Sequence, residues 1–133
     1  MTISIDYVRE IFKGLETGDG GMFFEHVADD VDWTVMGTHP LAGHYLSKRA
    51  FQDATFDRLG KVLPKGAQLR VTNVVVAASM AAVELVSDAT ARNGMRFDNH
   101  YCWVIRFGAD RIVEVRAYLD SAMVAELFRQ NPV

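Results

Sequence analysis

Residues 80–107 read MAAVELVSDATARNGMRFDNHYCWVIRF, two runs rich in β-branched and aromatic residues on either side of Asn93-Gly94. Asn-Gly is the strongest short signal for a two-residue type I′ hairpin turn, because both central positions of that turn need positive φ. Turned there, the runs pair Glu84 with Trp103, Val86 with Tyr101 and Asp88 with Asn99. These six side chains then share one face of a sheet. Working outward, the stretch from Ala67 to Ala77 precedes this hairpin and the stretch from Arg111 to Leu119 follows it. Only short breaks at Ala78-Ser79 and Gly108-Ala109-Asp110 intervene, so four strands form an antiparallel meander. The last hairpin should bring Val113, Val115 and Ala117 to the face of Glu84, leaving Glu114 and Arg116 for water or a partner subunit. That requires an odd residue count at the turn, often made with a bulge.

The N-terminal half has helical rather than alternating periods. Ile5, Val8, Phe12 and Leu15 recur at helical spacing, with Ser4 to cap the start and Gly18 to stop the end. A shorter helix is expected from Met22 to Ala28, ending near Asp29-Asp30. Val31, Trp33 and Val35 alternate with Asp32 and Thr34, which predicts a strand closed by Gly37 and Pro40. Ser47 caps a third helix with a buried stripe of Phe51, Ala54, Leu59, Val62 and Leu63, stopped at Pro64-Lys65-Gly66. Asp120 or Ser121 caps a last helix that buries Met123, Val124, Leu127 and Phe128. Long strands with few helices cannot be covered on both faces. The expectation is one α+β domain over residues 1–133: a cone-shaped, curved antiparallel sheet whose concave face is closed by helices around a pocket.

Composition narrows the partners. A chain of 133 residues with net charge -3 and no Lys/Arg cluster would repel a phosphate backbone, so no nucleic acid is expected. No basic segment followed by an apolar stretch opens the chain, so no signal peptide is expected. The longest apolar run, Val74 to Val83, is about half the roughly 20 residues of a membrane helix, and Ala78-Ser79 interrupts it; no membrane partner is expected. The single cysteine, Cys102, has no internal partner and suits a reducing, cytoplasmic compartment.

The order of elements resembles the nuclear transport factor two-like (cystatin-like) superfamily, which includes steroid delta-isomerases, limonene epoxide hydrolases and polyketide cyclases of the SnoaL kind. Glu10 to Asp30, with Glu16-Thr17-Gly18-Asp19 and Val27-Ala28-Asp29-Asp30, looks like the opening helices of the isomerases. Leu41-Ala42-Gly43 and Phe107 through Arg111-Ile112-Val113-Glu114 look like two further stretches of the family. The resemblance implies a homodimer, but it does not carry over the family's catalytic residues. Ile11 stands at the place of the isomerases' oxyanion-binding tyrosine, and Thr34 or Val35 at the place of their general base. Arg116-Ala117-Tyr118-Leu119-Asp120 resembles the epoxide hydrolases, yet Ala117 occupies the catalytic aspartate's place, and Glu84 and Val86 align with those enzymes' Arg and Asp.

Candidate site residues follow from the expected register. Glu84 interrupts an apolar run and, on the pocket face, would be a general base or a ligand's hydrogen-bond partner. The alternative is a structural carboxylate paired with Arg70 or Arg116 or bonded to a tyrosine. Trp33, Tyr101 and Trp103 combine apolar faces with a polar tip and suit pocket walls or core, with Val35 and Val86 beside them. Asn99 could orient a ligand carbonyl or satisfy a backbone group, and His44 could stand at the pocket rim. His39 and His44 do not make a metal set, because Pro40 and Gly43 prevent a shared helical face and no Asp, Glu or Cys lies nearby; no metal or cofactor is expected. The residues point to a small apolar, carbonyl-bearing ligand in a pocket, with isomerase-, lyase- or hydrolase-like chemistry if Glu84 reacts. The alternative is a noncatalytic homodimeric or protein-docking module, using the outer sheet face with His100, Glu114, Arg116 and Tyr118.

Overall fold

The computed structural model describes residues 2–17 and 20–133; Gly18, the expected helix stop, and Asp19 lie outside the described residues. Helix α1 spans Ile5–Phe12, and the hydroxyl of Ser4 accepts the Tyr7 N–H at 3.1 Å as its N-cap. It buries Val8, Ile11 and Phe12, and a 3₁₀ turn at Lys13–Leu15 extends it. Helix α2 is a single turn, Gly21–Phe24, shorter than the periodicity predicts. Strand β1 therefore begins at Val27 and runs to Val35, with Val31, Trp33 and Val35 buried as the alternation requires. A short strand not anticipated from the sequence, β2 (Gly43–Tyr45), pairs with it at the sheet's edge.

The third expected helix is two helices, α3 (Lys48–Ala54) and α4 (Phe56–Val62). Ser47 caps α3, accepting the Ala50 N–H at 3.0 Å. The chain leaves helical geometry at Thr55 (φ -123°, ψ -78°), whose hydroxyl donates to the Phe51 carbonyl at 2.7 Å. A threonine hydroxyl bonded one turn back bends a helix in this way. Four strands follow: β3 (Leu69–Ala77), β4 (Met80–Ser87), β5 (His100–Gly108) and β6 (Arg111–Leu119). Helix α5 (Ser121–Gln130) closes the described fold; Asp120 caps it through the Met123 N–H at 3.2 Å, and Val124, Leu127 and Phe128 are buried.

One six-stranded sheet results, in the order β2-β1-β6-β5-β4-β3. The four-strand meander is antiparallel as expected, while β1 lies parallel to β6, joining the N-terminal half to the meander. Helices cover one face and leave the other open. Two turns use residues other than glycine at positive φ, Ala78 at 55° and Ala109 at 56°.

The β4–β5 register corrects the sequence reading. Ala91 N–H donates to the Met95 carbonyl at 2.8 Å and Gly94 N–H to the Ala91 carbonyl at 2.9 Å, so the loop holds three residues, not two. Gly94 takes φ 92°, and Asn93 Oδ1 accepts the Met95 N–H at 3.1 Å. A three-residue hairpin loop with glycine in the left-handed position is the next most common solution after the two-residue turns. The register moves by one: Val83 faces Trp103, Leu85 faces Tyr101, and Ser87 N–H donates to the Asn99 carbonyl at 3.0 Å. Because side chains alternate with period two, that step sends Glu84, Val86 and Asp88 to the other face. Val83 and Leu85 take the helix-covered side, at 0% and 1% exposure.

At the β5–β6 hairpin the odd residue is present, but it lies in the strand. Gly108 pairs with Arg111 across Ala109-Asp110, and the register shifts between Arg106–Glu114 and Phe107–Ile112. Val113 is the extra residue. Val115 and Ala117 reach the covered face as expected, whereas Ile112 takes the place assigned to Val113, with 0% exposure.

Candidate ligand chamber

Between the covered face and helices α3, α4 and α5 lies an apolar chamber of about 40 Å³. The sheet contributes Trp33 and Val35 from β1, Tyr101 and Trp103 from β5, and Ala117 and Leu119 from β6. The helices contribute Phe51, Thr55, Phe56, Leu59 and Val124, and Leu41, Ala67, Leu69 and Phe97 complete the wall. Trp33 stacks on Phe51 with centroids 3.7 Å apart and planes 18° from parallel, and meets Trp103 edge-on at 5.2 Å. Phe12 and Phe23 back Trp103 at 5.9 and 6.0 Å. Such offset and edge contacts are worth about 0.5–1.5 kcal/mol each beyond the area they bury, so this part of the wall is firmly held.

The polar atoms of the wall are few. Thr55 commits its proton to Phe51. Burial pushes the Tyr101 phenol well above its ordinary value, while the hydrogen bond with the Ser87 side chain acts the opposite way, so the phenol stays protonated. Trp33 Nε1 is buried and without a hydrogen-bond partner among the described residues. An indole N–H can only donate, and leaving it unpaired costs about 1–3 kcal/mol. Among the described residues the wall contains no carboxylate, imidazole or amine. The described lining is thus apolar, with one buried indole N–H unpaired and no group that could serve as a general base.

Trp33, Val35, Tyr101 and Trp103 therefore lie together in this wall, as the sequence suggests. The other named residues do not. Glu84 is exposed on the open face, where its Oε1 accepts from Asn73 Nδ2 at 3.1 Å; it is neither in the chamber nor paired with Arg70 or Arg116. Val86 shares that face, opposite His100. Asn99 is fully buried with its amide engaged by backbone: Oδ1 accepts from the N–H groups of His100 and Asp120 at 2.7 and 3.0 Å, and Nδ2 donates to the Asp120 carbonyl at 3.2 Å. It ties the start of β5 to the cap of α5. His44 lies exposed on β2 with Nε2 2.8 Å from Asp32 Oδ1, away from the chamber.

His39 proves structural. Its Nδ1 accepts the Leu41 N–H at 3.2 Å and Nε2–H donates to the Met36 carbonyl at 2.9 Å, an arrangement that requires the neutral ring. Burial lowers its pKa, against a smaller opposite pull from the Met36 carbonyl. Cys102 lies on the open face opposite Glu84; burial first, and the Glu84 carboxylate second, push its thiol up and keep it protonated. Sequence reasoning missed Leu41, Thr55, Phe56, Leu69 and Phe97 as chamber walls. Phe51, Thr55 and Leu59 at four-residue spacing were a usable signal, and Phe97 alternates in step with Asn99, Tyr101 and Trp103 in the run expected to form their strand.

Residues 8–115 match the SnoaL-like domain family. A curated fungal relative, "Dimerizing cyclase phiC" from Fungal sp. (strain ATCC 74256), is 27% identical over 135 residues, covering 98% of this chain. The chain spans 59% of that relative's length. Among solved structures, an NTF2-like protein from Burkholderia thailandensis E264 superposes with a TM-score of 0.79 at 23% identity, covering 92% of this chain and 95% of the other. TerC co-crystallized with polyporic acid superposes at 0.77 with 16% identity, covering 94% and 97%. These two likenesses establish the nuclear transport factor two-like fold.

Proposed function

Because the chain belongs to the SnoaL-like domain family, we propose that its chamber binds a small apolar molecule carrying a carbonyl group. The supporting observation is a wall of aromatic surface whose buried, unpartnered polar atom among the described residues, Trp33 Nε1, is a donor, with the protonated Tyr101 phenol in the same wall. Hydrogen-bond donors in an apolar site select acceptors, since a ligand without one leaves the buried donor unpaired. An isomerase-like role needs a base at the wall. A cyclase-like role needs an apolar substrate held in shape while its carbonyl oxygen is polarised, and the residues suit the latter. The fungal relative named a dimerizing cyclase agrees with it.

The test compares acetophenone with cumene, its hydrocarbon isostere, in wild type and Tyr101→Phe by NMR titration. Removing one neutral donor should weaken acetophenone by about three- to tenfold, corresponding to about 1 kcal/mol, and leave cumene unchanged. Equal losses for both compounds, or no binding of either by the wild type, would refute the reading.

The open sheet face supports a second copy of this chain as the macromolecular partner. Val75, Ala82, Val104 and Arg116 form one row across β3 to β6, with Asn73, Glu84, Cys102 and Tyr118 in the next. Val75 and Tyr118 are 58% and 44% exposed, an apolar cost that a partner subunit removes. No helix among the described residues is long and apolar enough to cross a membrane, and a protonated, unpaired Cys102 is compatible with a reducing cytoplasm.

A further inference from the structure

A chamber of about 40 Å³ holds a few waters, since one water needs roughly 10–15 Å³ by this measure. Pockets that take organic ligands run to about 300–1,000 Å³. Some part of the wall must move before the chamber can accept a ring-sized molecule. Trp33, Phe51 and Trp103 are 0–3% exposed and held in the aromatic network described above, so they are the costly parts to shift. Phe56 differs. It is half-buried, and it begins α4 directly after the break at Thr55. Its ring lies edge-on to Phe24 at 5.3 Å. Beyond it is an outer cleft of about 230 Å³, bounded by Gly20, Gln52, Asp57 and Gly60 among others. Phe56 and Ala67 belong to the walls of both spaces.

We propose that the Phe56 ring is a movable partition between chamber and cleft, and that its swing opens one channel for an elongated, amphipathic ligand. The proposal rests on the chamber being the ligand site. The apolar, carbonyl-bearing end lies among Trp33, Tyr101 and Trp103. The outer end carries hydroxyl groups, for which the Asp57 carboxylate and the Gln52 amide supply acceptors at the cleft. The Thr55 hydroxyl bond to Phe51 keeps α3 in place while the side chain beyond the break rotates. Phe56 thus sets both the rate of entry and the largest molecule admitted.

Both tryptophans of the chain line the chamber, so their fluorescence reports its filling. Stopped-flow quenching by 2-acetylnaphthalene should show a rate that saturates with ligand concentration in the wild type, because binding waits on the partition. Phe56→Ala should bind about tenfold faster, the effect of removing about 1.4 kcal/mol of barrier, and Phe56→Leu should fall between. Phe56→Leu preserves most of the packing and carries the test if Phe56→Ala does not fold. Quenching of the variants but not of the wild type also supports the partition. Wild-type quenching at a rate that neither variant changes overturns the partition and leaves the chamber reading standing. Quenching of no protein, with acetophenone also unbound, overturns the chamber reading and the partition together.

Discussion

Val83 and Glu84 are neighbours in sequence on opposite faces of the sheet, and a pair of alanine substitutions turns that register into a measurable asymmetry. Val83 is 0% exposed and packs in the larger core cluster, so Val83→Ala removes two carbon groups from a site without water. At about 0.8 kcal/mol for each group, with a further contribution from the cavity left behind, the loss should reach about 2–3 kcal/mol. Glu84 is exposed, with one surface hydrogen bond to Asn73. Glu84→Ala should stay within about 0.5 kcal/mol of wild type, as surface substitutions do. Urea denaturation reads both: with a slope of about 1–3 kcal/mol/M, the Val83→Ala midpoint should fall by about 1 M while that of Glu84→Ala hardly moves. Under the two-residue turn the costs would reverse, so a Glu84→Ala loss larger than that of Val83→Ala would refute the three-residue loop and the face assignment that follows from it.

His39 gives a pH dependence of definite sign. Its folded pKa lies below the ordinary 6.5, so the unfolded chain binds the extra proton first. The stability it contributes is complete above pH 6.5 and is lost as pH falls through the folded value; thermal melts from pH 7.5 to 5 should show this decline, and His39→Gln should flatten it. A decline of equal slope in the variant would assign the effect elsewhere. On the open face, Val104 stands between Ala82 and Arg116. Light scattering should find a wild-type dimer at micromolar concentration and a monomer for Val104→Glu, whereas a wild type that is monomeric throughout would remove the dimer proposal.

The period-two runs of β1 and β3 to β6 and the three capped helices were readable because each depends on neighbours a few residues apart. Ser4, Ser47 and Asp120 all cap as their residue types dictate. Facing was harder. Asn93-Gly94 supports both two- and three-residue loops, and the choice involves distant partners: Arg92 N–H donates to the Val62 carbonyl at 2.8 Å, and Asn93 Nδ2 to Gln130 at 2.9 Å. One residue of loop length moved Glu84 and Val86 to the open face and put Val83 and Leu85 on the covered one. Trp33 was immune, since it belongs to a different strand. Tyr101 and Trp103 kept their facing because the slip was absorbed on the β4 side. The break at Thr55 was hidden because Phe51, Thr55 and Leu59 also fit one continuous helix.

The outermost position of β3 has a consequence for solubility. The outward-pointing backbone groups of this nine-residue edge strand have no strand partner among the described residues and invite another chain to add itself as a further strand. The register shift between Val71 and Asn73 interrupts the regular ladder there, and the Thr72 hydroxyl donates to the Glu84 carbonyl at 3.2 Å. Arg70, exposed just before the shift, adds a charge that an incoming strand would have to desolvate. The irregularity in β3 thus works against runaway edge-to-edge assembly, in keeping with the proposal that copies pair through the open sheet face.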